Sequence, residues 1–261
     1  MIERTVGPWA KIERAKEHIE QFSREWDWFL RDVEPYRVLS EEDPEMGDLV
    51  YRVEVDDEVP AMLKRSSLII GDSIHNLRSA LDLLACQIVE DNGGTVKRST
   101  GFPISESREE FETSGLKKIN GASEDSIKLL WKVRPYKRGN EALYCLHRLD
   151  IADKHRLLLT VGSAHPSIKV TYRRPGWSSR PITLRPRDRT FPLKNKAELY
   201  RVRRAFRQSA ENQSEPEFVF EIAFGDGEIV KGEPVVPMLN QLVGAAEQVV
   251  EIFESLDDIP F

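Results

Sequence analysis

Ile69-Ile70-Gly71-Asp72-Ser73-Ile74-His75-Asn76-Leu77-Arg78-Ser79-Ala80-Leu81-Asp82-Leu83-Leu84-Ala85-Cys86-Gln87-Ile88 is the stretch on which the fold turns. Ile70, Ile74, Leu77, Leu81, Leu84 and Ile88 fall at alternating steps of four and three, the spacing of an apolar stripe along one helix. The pattern predicts a helix from Pro60 to about Glu90, stopped by Asn92-Gly93-Gly94. Between Leu68 and Val89 the full charges are Asp72, Arg78 and Asp82, joined by His75. A solvated helix carries Lys and Glu along its outer side, so this one is expected to be enclosed on more than one face.

At about 100° per residue, His75, Ser79, Asp82 and Cys86 lie roughly opposite the leucine stripe, with Asp72 and Arg78 flanking them. Ionisable groups inside a protein are costly unless they are paired or used. The polar stripe therefore reads either as a hydrogen-bond network that fixes register, or as a cleft for binding or catalysis. His75 and Asp82 share a face, but no diagnostic metal-ligand spacing accompanies them, and no metal or other cofactor is expected.

Outward from this helix the chain divides into recognisable runs. Pro8 to about Asp32 predicts a first helix, with Trp9, Ile12, Ile19, Phe22, Trp26, Phe29 and Leu30 near helical spacing and Pro35 as its end. Leu49–Val55 reads as a strand, one arm of a small sheet. Phe102-Pro103-Ile104 is an extended connector, followed by short helical pieces near 107–113 and 123–132, and then by a helix from about Glu141 to Arg156. Runs at 157–161, 168–172 and 182–184 read as strands, 196–210 as a helical patch, and 218–224 as a strand leading into a hairpin turn at Gly225-Asp226-Gly227. Pro237 to about Leu256 closes the chain as a helix. The expected fold class is α+β: a helical bundle of about four long helices with a β-rich insertion before the last. The expected parts are a helical core at 1–156, a basic β-rich insertion at 157–230, and a C-terminal helix at 231–261 that returns to the bundle.

Composition narrows the setting. No run approaches the roughly 20 apolar residues that cross a bilayer, and Met1-Ile2-Glu3-Arg4 leads into an acidic amphipathic segment, so neither membrane insertion nor a secretory signal is expected. Cys86 and Cys145 form no Cys-x-x-Cys pair, which suits a reducing cytoplasm. The net charge of −6 conceals an uneven pattern. Residues 1–60 hold 8 Lys/Arg against 17 Asp/Glu, residues 169–207 hold 13 against 2, and residues 208–261 hold 1 against 12. A basic island of this kind either grips a phosphate-bearing partner such as RNA or neutralises the acidic ends of its own chain. On the first reading Arg173, Arg174, Arg180, Arg185, Arg187, Arg203 and Arg204 contact nucleic acid, with Trp177 placed to stack on a base.

The second dense polar string runs from Leu146 to Arg156. Arg148 and His155 are seven residues apart, two turns along one face. A guanidinium can hold a phosphodiester and an imidazole can move the proton of a ribose hydroxyl, without a metal. The alternative is an ordinary polar helix end.

The strings Gly71 to Asp82, Phe102-Pro103-Ile104, Arg134-Pro135-Tyr136 and Asp153-Lys154-His155-Arg156 resemble, in order and spacing, a large group of uncharacterised bacterial and phage proteins. The resemblance covers about residues 60–160 and implies no activity. Here Arg134 stands where that group usually has Gln, and Leu83 where it often has His. Arg148 to His155 is also similar to the Arg-x4–6-His motif of the HEPN superfamily, helical bundles that are often dimeric and many of which are metal-independent ribonucleases. That likeness implies Arg148 and His155 as the catalytic pair at the cleft of a homodimer. Asp72, His75, Arg78, Ser79, Asp82 and His147 would be the supporting polar cluster, and residues 169–207 the RNA-holding segment. Two other functions stay open: a non-catalytic binding or regulatory module, and a metal-dependent hydrolase using His75, Asp82 and either His147 or His155.

Overall fold

The computed structural model describes residues 6–156, 161–173, 181–184, 193–207, 213–225, 230 and 232–255. The chain is α+β. In order it forms α1 (Val6–Trp28), β1 (Tyr36–Glu42), β2 (Leu49–Val55), α2 (Val59–Asp91), α3 (Arg108–Glu110), α4 (Glu124–Val133), α5 (Glu141–Arg156), β3 (Val161–Arg173), β4 (Pro181–Leu184), β5 (Glu198–Val202), α6 (Arg204–Arg207), β6 (Gln213–Phe224) and α7 (Val235–Glu254). It divides into two compact units. One comprises Met1–Ser23, Ser67–Leu159 and Val236–Phe261, the other Arg24–Ser66 and Thr160–Val235. Residues 24–66 thus group with the strands that follow residue 160. Among the described residues no helix is long and apolar enough to cross a membrane.

The first unit is helical. On α2 the leucine stripe is enclosed, with Ile70, Ile74, Leu77 and Leu81 at 0% exposure. Ser73, Arg78, Ala80 and Val89 on other faces are buried too, so α2 is covered on more than one side, as its lack of charge predicted. Ile12, Ala15, Ile19 and Phe22 of α1 and Leu239, Leu242, Ala246 and Val250 of α7 are enclosed in the same way. Polar bonds tie these helices together. Ser73 Oγ donates to the Ala15 carbonyl at 3.2 Å, Trp9 Nε1 to Glu254 at 2.7 Å, and Lys16 pairs with Glu247 at 2.6 Å. α4 starts at its N-cap Ser123, whose hydroxyl accepts from Ser126 N.

The second unit holds two three-stranded antiparallel sheets, ordered β1-β2-β5 and β4-β3-β6. β1 pairs along its whole length with β2, from Tyr36 opposite Val55 to Glu42 opposite Leu49. The long β3–β6 ladder shifts register between Ala164 and Ser167, where Pro166 lacks the N–H a regular ladder needs. Val53, Leu193 and Leu199 form a core against which Tyr36, Val38, Phe218 and Phe220 pack. Tyr36 stacks on Phe220 with ring centres 4.6 Å apart.

The helical patch expected at 196–210 is corrected. Its first part is strand β5, paired with β2, and among its described residues the short α6 alone is helical, with 208–210 outside the described residues. Pairing with a waiting strand overrides weak local preference there. Arg201 anchors it, reaching Asp43 at 2.7 Å, Asp48 at 3.6 Å and Glu198 at 2.8 Å. The hairpin turn expected at Gly225-Asp226-Gly227 lies largely outside the described residues, as do residues 157–160.

Candidate functional site

The polar stripe of α2 meets α5. His75 Nδ1 is 3.2 Å from Asp150 Oδ1, and the other carboxylate oxygen takes Lys154 Nζ at 2.6 Å. The Asp150 side chain is only 4% exposed while that of His75 is 55% exposed, so the pair joins the interior to the surface. Ser79 Oγ stands 3.5 Å from His75 Nε2 on the next turn. The two helices come close at Gly71, where a Cβ atom would fall 2.7 Å from Asp153 Oδ1. Asp72 is exposed, and its carbonyl accepts from Asn76 Nδ2 at 2.8 Å.

One turn along α2, Arg78 and Asp82 clamp the segment that follows. Arg78 Nη2 donates to the Phe102 carbonyl at 3.0 Å and pairs with Asp82 Oδ1 at 2.8 Å, while the same carboxylate oxygen accepts from Phe102 N at 2.9 Å. Gly101 is required beside this clamp, because a Cβ there would sit 2.9 Å from Asp82 Oδ1. Phe102 is fully buried as a result. Ser105, three residues on, exchanges backbone hydrogen bonds with Pro135 and Lys137. The 71–82 and 102–104 strings that carried the resemblance are therefore bonded to one another, and Arg78 and Asp82 have a structural task.

That task leaves a remainder. The Arg78 side chain is 8% exposed, and its Nη1 is buried with no hydrogen-bond partner among the described residues. His147 Nδ1, on α5, is buried and unpartnered as well. Burial first, then the charges of Arg78 and Lys118, hold the His147 imidazole down to about 4, so it is neutral near pH 7. Burial and Arg78 likewise lower the Lys118 ammonium from its ordinary value. Lys118 is brought there by the single turn Leu116–Ile119, whose Lys118 carbonyl accepts from Gly101 N at 3.3 Å. Arg78 itself is lowered by burial, against the pull of Asp82 and Asp150.

Arg148 faces elsewhere. Asp150 lies two residues on, about 200° around the helix, and Arg148 turns to Glu106, Nη1 to Oε1, at 2.8 Å. Tyr144 OH donates to the other Glu106 oxygen, and Lys137 lies 5.6 Å from the centre of the Tyr144 ring. Burial and the Glu106 carboxylate push the Tyr144 phenol up to about 12, while Tyr144 and Arg148 hold Glu106 below the usual carboxylate value. The side chain of His155 lies outside the described residues.

His75 with Ser79, and Arg78 with Asp82 and His147, are thus brought together in two adjoining groups. Asp150 and Lys118 complete them, while Glu106 and Tyr144 hold Arg148 apart from them; none of the four was singled out as a site residue from sequence. Asp150 alone had a readable signal, its place with His147 and Lys154 at helical spacing. Among the described residues no group of three His, Cys, Asp or Glu side chains stands close enough to hold a metal ion.

In the basic segment, Arg174, Arg180, Arg185, Arg187 and Trp177 lie outside the described residues, as does the side chain of Arg173, whose backbone ends β3. Arg203 and Arg204 are exposed, and Arg204 N donates to Asp48 at 2.9 Å. Lys169 is 3.5 Å from Glu217. Comparison of the chain with protein-family models, with curated proteins and with solved structures gave no match.

Proposed function

We propose that the helical unit is a non-catalytic binding module, with its ligand site in the polar seam between α2 and α5. The observation that carries this reading is the pair of buried nitrogens, Arg78 Nη1 and His147 Nδ1, that no group among the described residues satisfies. An unmatched buried donor on a charged group costs several kilocalories per mole at the order-of-magnitude level, and such groups persist where a ligand completes them. The surface pair His75–Asp150 lies beside them, with Lys154 fixing the carboxylate.

In a ribonuclease acting through Arg148 and His155, the guanidinium that holds the phosphodiester would already be bonded through Nη1 to the Glu106 carboxylate, which would oppose the phosphate's charge. The test is direct. Purified protein is incubated with mixed RNA, with and without EDTA, beside Arg148→Ala and His155→Ala variants. The binding-module reading expects no cleavage in any sample. EDTA-resistant cleavage that disappears in both variants would replace it with the ribonuclease, and cleavage abolished by EDTA would replace it with a metal-dependent hydrolase.

A further inference from the structure

The geometry points to an oxyanion as the ligand of this seam: a carboxylate or phosphate group held by Arg78 Nη1, Lys118 Nζ and His147 Nδ1. This inference deepens the binding-module reading and rests on it.

Charge and donors argue for the anion. Arg78 spends Nη2 on Asp82 and the Phe102 carbonyl, which leaves Nη1 without a partner in a side chain more than nine-tenths buried. Among the described residues Asp82 is the carboxylate paired with that guanidinium, and its bonded oxygen is shared with Phe102 N. Lys118 adds a second positive charge within the field of Arg78, with Asp82 and Glu110 as the carboxylates acting on it. Of these, Asp82 is bonded to Arg78 and Phe102 N, and Glu110 accepts from Glu106 N. The fields at His147 come from Arg78 and Lys118 on one side and from Asp150 and Glu106 on the other, with both acids already committed. What the seam leaves open, among the described residues, are nitrogens: Arg78 Nη1 on a guanidinium and His147 Nδ1 on an imidazole. A guanidinium edge with an ammonium beside it presents two kinds of donor to the planar or tetrahedral oxygens of such a group. His147, neutral when the site is empty, can contribute Nδ1–H as a third donor, and an adjacent anion favours its protonated form.

This assignment accounts for the neighbouring structure. Gly101 and the turn Leu116–Ile119 place Lys118 against the Arg78 clamp through the bond from Gly101 N to the Lys118 carbonyl. The clamp would thus serve two purposes, holding Phe102 through Nη2 and offering Nη1 to the ligand.

The experiment uses the full chain, with inorganic phosphate, sulfate and acetate as probes at constant ionic strength set by chloride. Nitrogen-15 spectra of the histidine side chains follow His147, with His75 as an internal reference. Saturable binding is expected, with the His147 midpoint moving to higher pH as the anion is added. Lys118→Met and His147→Gln should each weaken binding on the order of tenfold, while Lys128→Met, at an exposed α4 position paired with Asp125, leaves it unchanged. Phosphate and sulfate binding ahead of acetate identifies a phosphoryl-type ligand, and the reverse order a carboxylate. Arg78 is left intact in these variants, because removing it would also release Phe102. Saturable anion binding that ignores both Lys118→Met and His147→Gln overturns the assignment to these residues while leaving a binding module. Absence of any anion binding overturns the oxyanion, and the module reading is then decided separately by the RNA experiment above.

Discussion

His147 carries the clearest chemical signature at the scale of single residues. A free imidazole titrates near 6.5, whereas burial, Arg78 and Lys118 hold this one down to about 4. The folded pKa is depressed, so the unfolded chain takes up a proton first as pH falls. The stabilising contribution of the neutral imidazole is complete above about pH 6.5, declines between there and about pH 4, and is gone below. Urea unfolding across this range should show a downward limb that flattens in His147→Gln. A limb of equal slope in the variant would place the cause elsewhere. The surface chemistry of Arg148 is of another kind. Paired with Glu106 in a half-exposed setting, it contributes little to stability, on the order of a few tenths of a kcal/mol. Glu106→Gln should free its guanidinium without unfolding the chain. The value of Arg148 to any anion can then be measured as RNA or phosphate affinity before and after that change.

Among the elements, the junction of α2 with the Phe102 segment decides the most. Asp82 serves two donors at once, and Arg78 is too deeply buried to find water if Asp82 is lost. Asp82→Ala should cost about 2–3 kcal/mol, somewhat under the range for a fully enclosed ion pair because the Asp82 carboxylate is partly exposed. Gly101→Ala should destabilise on a similar scale, since its Cβ would collide with an oxygen that two bonds hold in place. The two changes should not add. With Asp82 already truncated, the atom that clashes is absent, and a double-mutant cycle by denaturant titration should show a coupling of about 1 kcal/mol or more. Additive losses would mean that Gly101 is required for some other reason. Much of this junction was unreadable from sequence. The stripe of α2 repeats every three or four residues and is visible in any window, but the partner of Asp82 is a backbone N–H twenty residues away on an irregular connector. Nothing in the local pattern at 116–119 marks Lys118 as the residue brought to Arg78.

For the whole molecule, the charge asymmetry has a partial explanation inside the second unit. Arg201 gathers Asp43, Asp48 and Glu198, so some of the basic segment neutralises acidic residues from the first third of the chain. Arg201, with backbone bonds from Met46 and Glu45, holds the Asp43 carboxyl down to about 2. The folded pKa is again depressed, so this contribution is complete above about pH 4 and is lost as pH falls toward 2. Arg201→Met should lower stability at neutral pH and flatten the acid limb between pH 4 and 2, leaving the His147 limb above it unaltered. Thermal unfolding at stepped pH would check both limbs in one series, and a change confined to the upper limb would contradict the assignment.

By itself the sequence determined that the chain is α+β, that a long helix near 60–90 would be enclosed on several faces, and that its polar residues would need partners. These follow from periodicity and from the cost of burying charge, both of which act over a few residues. Which partners they found was decided by tertiary structure. The bond from His75 to Asp150, the clamp on Phe102 and the pairing of the 198–202 strand with the 49–55 strand each join segments that loops of different length bring together. Loop paths have no local signature. For that reason the nitrogens left over at Arg78 and His147, on which the proposed site depends, are a property of the folded molecule alone.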